Sequence, residues 1–224
     1  MTPVSPPVRL LGLARSVYTR IARLALEEKS VPYELEEIEV FGRDGVPAEH
    51  FKRHPFGRIP VLVHADLSLY ETSAICRYVD EAFPGASLQP ATAARRARLT
   101  QIVSLLDSYA YRPMVWGVFV QRVRRPLQGF EPDEKLIASS LTQADTVLQA
   151  LVGIKGASPY LAGSELSLAD LHAFPMLKYF HLAPEGRAAV TRHASLAEWL
   201  ARMEQRRSVV STQALYERSA QKAA

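Results

Sequence analysis

Strand-length apolar runs alternate with helix-length patterns up to about residue 85 of this chain, and beyond that point no strand pattern recurs. A sequence that changes rhythm once, with no internal repeat, implies an α/β half followed by an all-helical half. VRLLGL (8–13) suits a buried strand, and TRIARLALEEK (19–29) carries a helical stripe at Ile21, Leu24 and Ala25. Pro32 stops that helix, and YELEEIEV alternates as a half-buried strand does. Strand, helix and strand with short links predict a βαβ unit and parallel pairing. FGRDGVPAEHFKRHPFG is looser, punctuated by Gly and Pro, with room for a short helix. IPVLVHA and LSLYE then read as a hairpin turning at Ala65-Asp66-Leu67, and SAICRYVDEAF (73–83) as a helix with Ile75, Val79 and Ala82 on one face. The order β-α-β, short helix, β-β-α is a thioredoxin-like layout.

PGASLQPATAA (84–94) has the Pro/Ala/Gly-rich composition of a linker. The expected division is residues 1–85, a linker at 86–94, and a helical bundle at 95–224. Leu99, Ile102, Val103, Leu106 and Tyr109 predict one helical stripe beyond it. Leu136, Ala144, Val147, Leu148 and Leu151 predict a second, and LADLHAFPMLKYF and SLAEWLARMEQR two more.

Composition narrows the function classes. With 224 residues, 48% of them hydrophobic, there is ample material for a core. No run of eighteen apolar residues predicts a membrane span, and MTPVSPPVRL lacks the apolar region of a secretory signal. The net charge of +4 is spread out. Its densest groups, Arg95, Arg96, Arg98 and Arg122, Arg124, Arg125, read as solvated helix faces, so no nucleic-acid partner is expected. One cysteine, Cys76, excludes a disulfide framework within the chain and a CxxC pair, and fits a reducing, cytoplasmic setting. It reads as a small core hydrophobe. His50 and His54 stand four apart, but Pro55 follows and no third ligand is near, so no metal is expected.

Three stretches carry candidate chemistry. In HPFGRIPVL (54–62), Pro60 heads a strand and is a candidate cis proline, leaving the backbone of Ile59 free to pair with an extended peptide. In LYETSAICRY a helix starts at Thr72 or Ser73, and its free N–H groups could seat a carboxylate; Thr72 as an N-cap is the plainer reading. ARSVYTR (14–20) brings Ser16, Tyr18 and Thr19 to the start of the first helix. No G-x-S-x-G elbow surrounds Ser16, which disfavours a serine nucleophile. In SELSLADLHAFP, Ser167 and Asp170 form a capping box with Leu166 stapled onto Leu171, so Asp170 reads as a stability residue.

HPFGRIP, YETSAICRYVDE and YLAGSELSLADLHAFPMLKYF, in this order and spacing, resemble the glutathione S-transferase family over nearly the whole chain. SVYTRIARLALEEK (16–29) is most similar to the serine-type, phi-class-like enzymes. The resemblance implies a thioredoxin-like domain that binds glutathione as co-substrate, without a further cofactor, and a helical domain that binds a small hydrophobic electrophile. It implies a homodimer and a detoxification role. Ser16 falls where these enzymes carry the hydroxyl that donates to the glutathione sulfur, with Thr19 as the rival. Ile59 matches the residue that pairs with the cysteinyl backbone, and Pro60 the family's cis proline. Arg58 stands where Gln or Lys is frequent. Glu71 and Thr72 match the Glu-Ser pair at the γ-glutamyl end.

The loop before HPFG usually holds His or Lys against the glycine carboxylate, whereas this chain has Phe41-Gly42-Arg43, with Arg43, Lys52 or His54 as substitutes. The electrophile site is expected between domains on the first long helix past the linker. Tyr109, Met114 and Trp116 are its main candidates; Tyr111 and Phe119 are added, with Tyr179 or Phe180 behind them. Pro113 and VRRPLQGF (123–130) mark that helix as unusual. Two alternatives share the fold: a binding protein with little catalysis, and a glutathione-dependent peroxidase.

Overall fold

The computed structural model describes residues 7–42, 44–214, 216 and 217, which form two compact units. The first holds the described residues up to Ser87 together with those from Ser211 onward; the second is Leu88–Val210.

The first unit is built on a four-stranded sheet, β1 (Val8–Gly12), β2 (Tyr33–Glu37), β3 (Val61–His64) and β4 (Leu67–Tyr70), in the order β2-β1-β3-β4. The pair β1–β2 is parallel, joined through helix α1 (Val17–Glu28), as the βαβ pattern predicts. β3 runs antiparallel to β1 and to β4, with Ala65 taking a positive φ of 51° in the hairpin turn. A 3-10 turn at Ala48–Lys52 precedes β3, and α2 (Thr72–Ala82) follows β4.

Helices α1 and α2 pack on each other and on the sheet, with Ile21, Leu24 and Ala25 of α1 and Ile75, Cys76 and Val79 of α2 all buried. Cys76 is 3% exposed, with its Sγ 3.8 Å from the carbonyl of Ile21. Gly12 lets α1 sit close on β1, because a Cβ there would lie 2.4 Å from Thr19 Oγ1. Lys29 at the end of α1 is buried and donates to Asp80 Oδ1 and to the carbonyls of Asp80, Gly85 and Ala86. That one ammonium fastens the end of α1 to the end of α2 and to the chain leaving the unit.

The second unit begins with α3 (Ala93–Leu105), which continues without a break into a π-helix at Leu106–Arg124 and a short α4 (Arg125–Leu127). Next come α5 (Glu134–Lys155), α6 (Leu168–Leu182), α7 (Pro184–Thr191) and α8 (Ala194–Glu204), with α9 (Arg207–Ser211) leading back to the first unit's last segment. One departure from the sequence pattern falls within the π-helix. Leu99, Ile102, Val103 and Leu106 are buried as the stripe predicts, yet Tyr109 is 68% exposed. Past Leu106 the buried positions are Ala110, Pro113, Met114, Val115, Gly117, Val118, Phe119 and Gln121, so no single stripe continues. In α5, Leu136 is 40% exposed and Ile137 is buried in its place.

Helix α6 is buried on nearly every side and starts with the capping box at Ser167 and Asp170. The fully buried Asp170 accepts from Ser167 N and Oγ, Leu161 N and Trp199 Nε1, all within 2.9 Å. Burial pushes its carboxyl above the usual range while those four donors oppose the shift. No helix among the described residues is long and apolar enough to cross a membrane.

Candidate functional site

Strand register alone brings the candidate residues of the first unit to one end of its sheet. β1 ends at Gly12, and Ser16 follows four residues later. Because β3 is antiparallel to β1, Val61 lies beside Leu11, which puts Pro60 and Ile59 at that same end. Because β4 is antiparallel to β3, Tyr70 lies beside Val61, and Glu71 and Thr72 follow it there. β2 also finishes at this end, with Glu37 beside Gly12. Loops at the ends of strands in such a sheet are where α/β proteins bind ligands.

Ser16 is the N-cap of α1, half-buried, with extended backbone (φ −73°, ψ 133°). Its Oγ accepts from Thr19 N at 3.4 Å, and its carbonyl accepts from Arg20 N at 2.9 Å. A hydroxyl that accepts at a cap still has its proton to give. Thr19 is different: it is fully buried against Gly12, and its Oγ1 has no hydrogen-bond partner among the described residues. Tyr18 is half-buried.

The Ile59–Pro60 bond is cis, and both residues are buried. The carbonyl of the preceding Arg58, whose side chain is exposed, meets His50 Nε2 at 2.6 Å. His54 is 3% exposed, with its ring 4.8 Å from that of Tyr70 and 6.3 Å from that of His50. Burial holds its imidazole below the ordinary range, against the opposing charge of Glu71. Sequence reasoning weighs His50 and His54 as metal ligands or as bases for a serine triad, and His54 as a carboxylate contact. Nothing in residue type revealed that His50 would brace a backbone carbonyl eight positions on.

Glu71, rather than Thr72, is the N-cap of α2, so the N-cap reading of Thr72 is corrected. Glu71 has a positive φ of 68°, and its side chain makes no capping bond and is exposed. Thr72 is the first helical residue and is 7% exposed. Of the three residues considered for the glycine carboxylate, Arg43 lies outside the described residues, His54 is buried, and Lys52 is exposed and paired with Glu49 at 2.8 Å.

The candidates on the π-helix part company. Tyr109 and Trp116 are 68% and 39% exposed and Tyr111 is half-buried. Met114 is fully buried, which corrects its placement beside a ligand: it is a core residue of the second unit. Phe119 is also buried and stacks on Tyr179 at 4.5 Å, and Phe180 is buried too.

A thioredoxin-like sheet with a capped serine, a cis-proline strand and a second helix start at one end, together with an all-helical unit, defines a two-part transferase architecture. The family models named Glutathione S-transferase, N-terminal domain, and Glutathione S-transferase, C-terminal domain, match residues 10–87 and 114–202. Glutathione S-transferase F10 of Arabidopsis thaliana is 32% identical over 75% of this chain and 78% of its own length. Glutathione S-transferase 4 of Zea mays is 30% identical over 87% and 86% of the two chains. Among solved structures, glutathione S-transferase I from mais in complex with an atrazine glutathione conjugate superposes with a TM-score of 0.82 at 27% identity, covering 95% of this chain and 99% of that one. The chain belongs to the glutathione S-transferase family and is phi-class-like.

Proposed function

We propose that Ser16 supplies the hydroxyl that stabilises the glutathione thiolate in this glutathione transferase. The observation that carries this reading is the contrast at the start of α1: Ser16 is a partly open N-cap with a proton to donate, while Thr19 is sealed against Gly12. A free thiol has a pKa of about 8.5, so only a small share is thiolate near neutrality. A donated hydrogen bond and the positive end of a helix both favour the charged form, and each pKa unit is worth roughly 1.4 kcal/mol. The thiolate then attacks an electrophilic carbon, forming a C–S bond as a leaving group departs or the carbon skeleton takes up a proton.

The tripeptide is read along the same sheet end. Ile59, with Arg58 and Pro60 around it, offers backbone to the cysteinyl part, and Glu71 and Thr72 hold the γ-glutamyl end. Glu71 has its carboxylate in solvent, suited to an ammonium, and Thr72 N–H opens α2, suited to a carboxylate. For the small hydrophobic electrophile, Tyr109 and Trp116 supply exposed aromatic surface. A homodimer is supported by exposed Phe51 and Phe56 on the first unit, 47% and 70% accessible. A reducing, cytoplasmic setting is supported by the lone, buried cysteine, Cys76.

The test assays wild type and Ser16→Ala with glutathione against a panel of electrophiles and a hydroperoxide. Ser16→Ala should lose about tenfold in rate near neutrality for each unit by which the thiol pKa rises. Rates unchanged by Ser16→Ala but abolished by Thr19→Ala would overturn the assignment. Wild type that binds glutathione yet turns over no substrate would favour a binding role. Turnover of the hydroperoxide alone would favour the peroxidase.

A further inference from the structure

The chain's last described segment returns to the first unit and fastens onto the helix that Ser16 caps. Arg20 on α1 and Glu217 are both sealed from solvent, with side chains 0% and 2% exposed. Their contact is a fork: Arg20 Nη1 donates to Glu217 Oε1, and Nη2 donates to Oε2 at 3.2 Å. Oε1 also accepts from Ala214 N at 3.2 Å, which orients the carboxylate within its own segment. Thr212 and Ala214 are buried alongside, 0% and 2% exposed.

From this the geometry points to Glu217 as a positioning residue for Ser16, acting through Arg20. Arg20 is the residue whose backbone N–H closes the first turn of α1 on the carbonyl of Ser16. Its neighbour Thr19 holds Ser16 Oγ. Two parallel bonds to a planar guanidinium fix direction as well as distance. A charged pair removed from water is tolerated only while that geometry is kept. The carboxylate therefore fixes the rotation of α1 about its own axis, one turn from the serine hydroxyl. Gly12 fixes the remaining freedom, since it admits Thr19 flush against β1. A hydroxyl-to-sulfur bond weakens steeply with misalignment, so a small rotation of the helix costs thiolate.

This inference rests on the reading of Ser16 as thiolate donor, and one experiment separates the two. The pKa of glutathione bound to the full chain is titrated by thiolate ultraviolet absorbance in wild type, Ser16→Ala, Glu217→Gln and Glu217→Asp, with each variant's Tm measured alongside. Glu217→Gln should raise the bound-thiol pKa by about one unit, a roughly tenfold loss of thiolate below the pKa. Glu217→Asp keeps the charge but shortens the reach, so its pKa should fall between Gln and wild type. It is read in place of Gln if that variant does not fold, with a raised pKa still expected.

If Ser16→Ala leaves the pKa at the wild-type value, the Ser16 reading fails and takes this inference with it. If Ser16→Ala raises the pKa but the Glu217 variants lower only the Tm, the inference alone is overturned and Glu217 is a structural clamp. A bound-thiol pKa that drops in Glu217→Gln also overturns it, since the carboxylate would then act by screening Arg20's charge.

Discussion

Thr19 and Ser16 stand three positions apart on one helix, and packing gives their hydroxyls opposite fates. The sequence shows two hydroxyls at a helix start and cannot rank them, because what ranks them is Gly12 on a different element. Thr19 Oγ1 is buried without a hydrogen-bond partner among the described residues, a state that costs stability unless the group is replaced by an apolar one of the same shape. Thr19→Val should therefore keep the transferase rate and raise stability by up to about 1 kcal/mol, read from the urea midpoint. A collapse in rate at unchanged stability would return Thr19 to the chemistry. His54 makes a pH prediction of definite sign. Burial places its folded-state pKa below that of the unfolded imidazole, so the neutral ring adds stability that is complete above about pH 6.5 and is lost as pH falls through the depressed value. His181 is shifted the same way by burial in the second unit. The measurement is thus a comparison: His54→Asn should lose less stability than wild type between neutral and mildly acid pH. Equal losses would mean His54 does not titrate with unfolding.

At the scale of the element, the π-helix is where pattern reading had least purchase. Helical periodicity correctly marked Leu99 to Leu106, then carried the same turn forward and put Tyr109 on the core side. Burial there spreads over Pro113, Met114, Val115, Gly117, Val118 and Phe119, which leaves no one-sided stripe for an α-helical template to follow. Pro113 and VRRPLQGF did flag the region, and the π-helix runs through the first and into the second. Its packing makes a checkable demand. A Cβ on Gly117 would lie 2.0 Å from Ser140 Oγ on α5, so Gly117→Ala should destabilise the chain by about 1–3 kcal/mol. Adding Ser140→Gly should restore most of that loss in thermal melts. An additive pair of effects would show that the two helices do not meet there. Elements with ordinary turns were far more legible: the βαβ unit, the hairpin at Ala65 and the capping box on α6 all stand where residue type put them.

Across the molecule, the two rhythms of the sequence correspond to a mixed-sheet unit and a helical unit, but the return of the described segment that begins at Ser211 to the first unit has no local signal. Arg20 looked like one more charge on the outer side of α1, because its carboxylate partner lies 197 positions away. Breaking a buried pair by removing one partner typically costs about 3–5 kcal/mol, and Glu217→Ala should lower stability by that order in chemical denaturation. A loss no larger than that of Lys52→Ala, whose ion pair with Glu49 is exposed, would mean the pair contributes no more than a surface contact. The same pair sets an order of events in the making of the protein. Arg20 on helix α1 leaves the ribosome 197 positions ahead of Glu217, the buried carboxylate that balances it. The strands of the first unit can therefore be complete before its helix α1 is balanced, and a polypeptide stopped short of Glu217 would hold a buried guanidinium without its counter-charge.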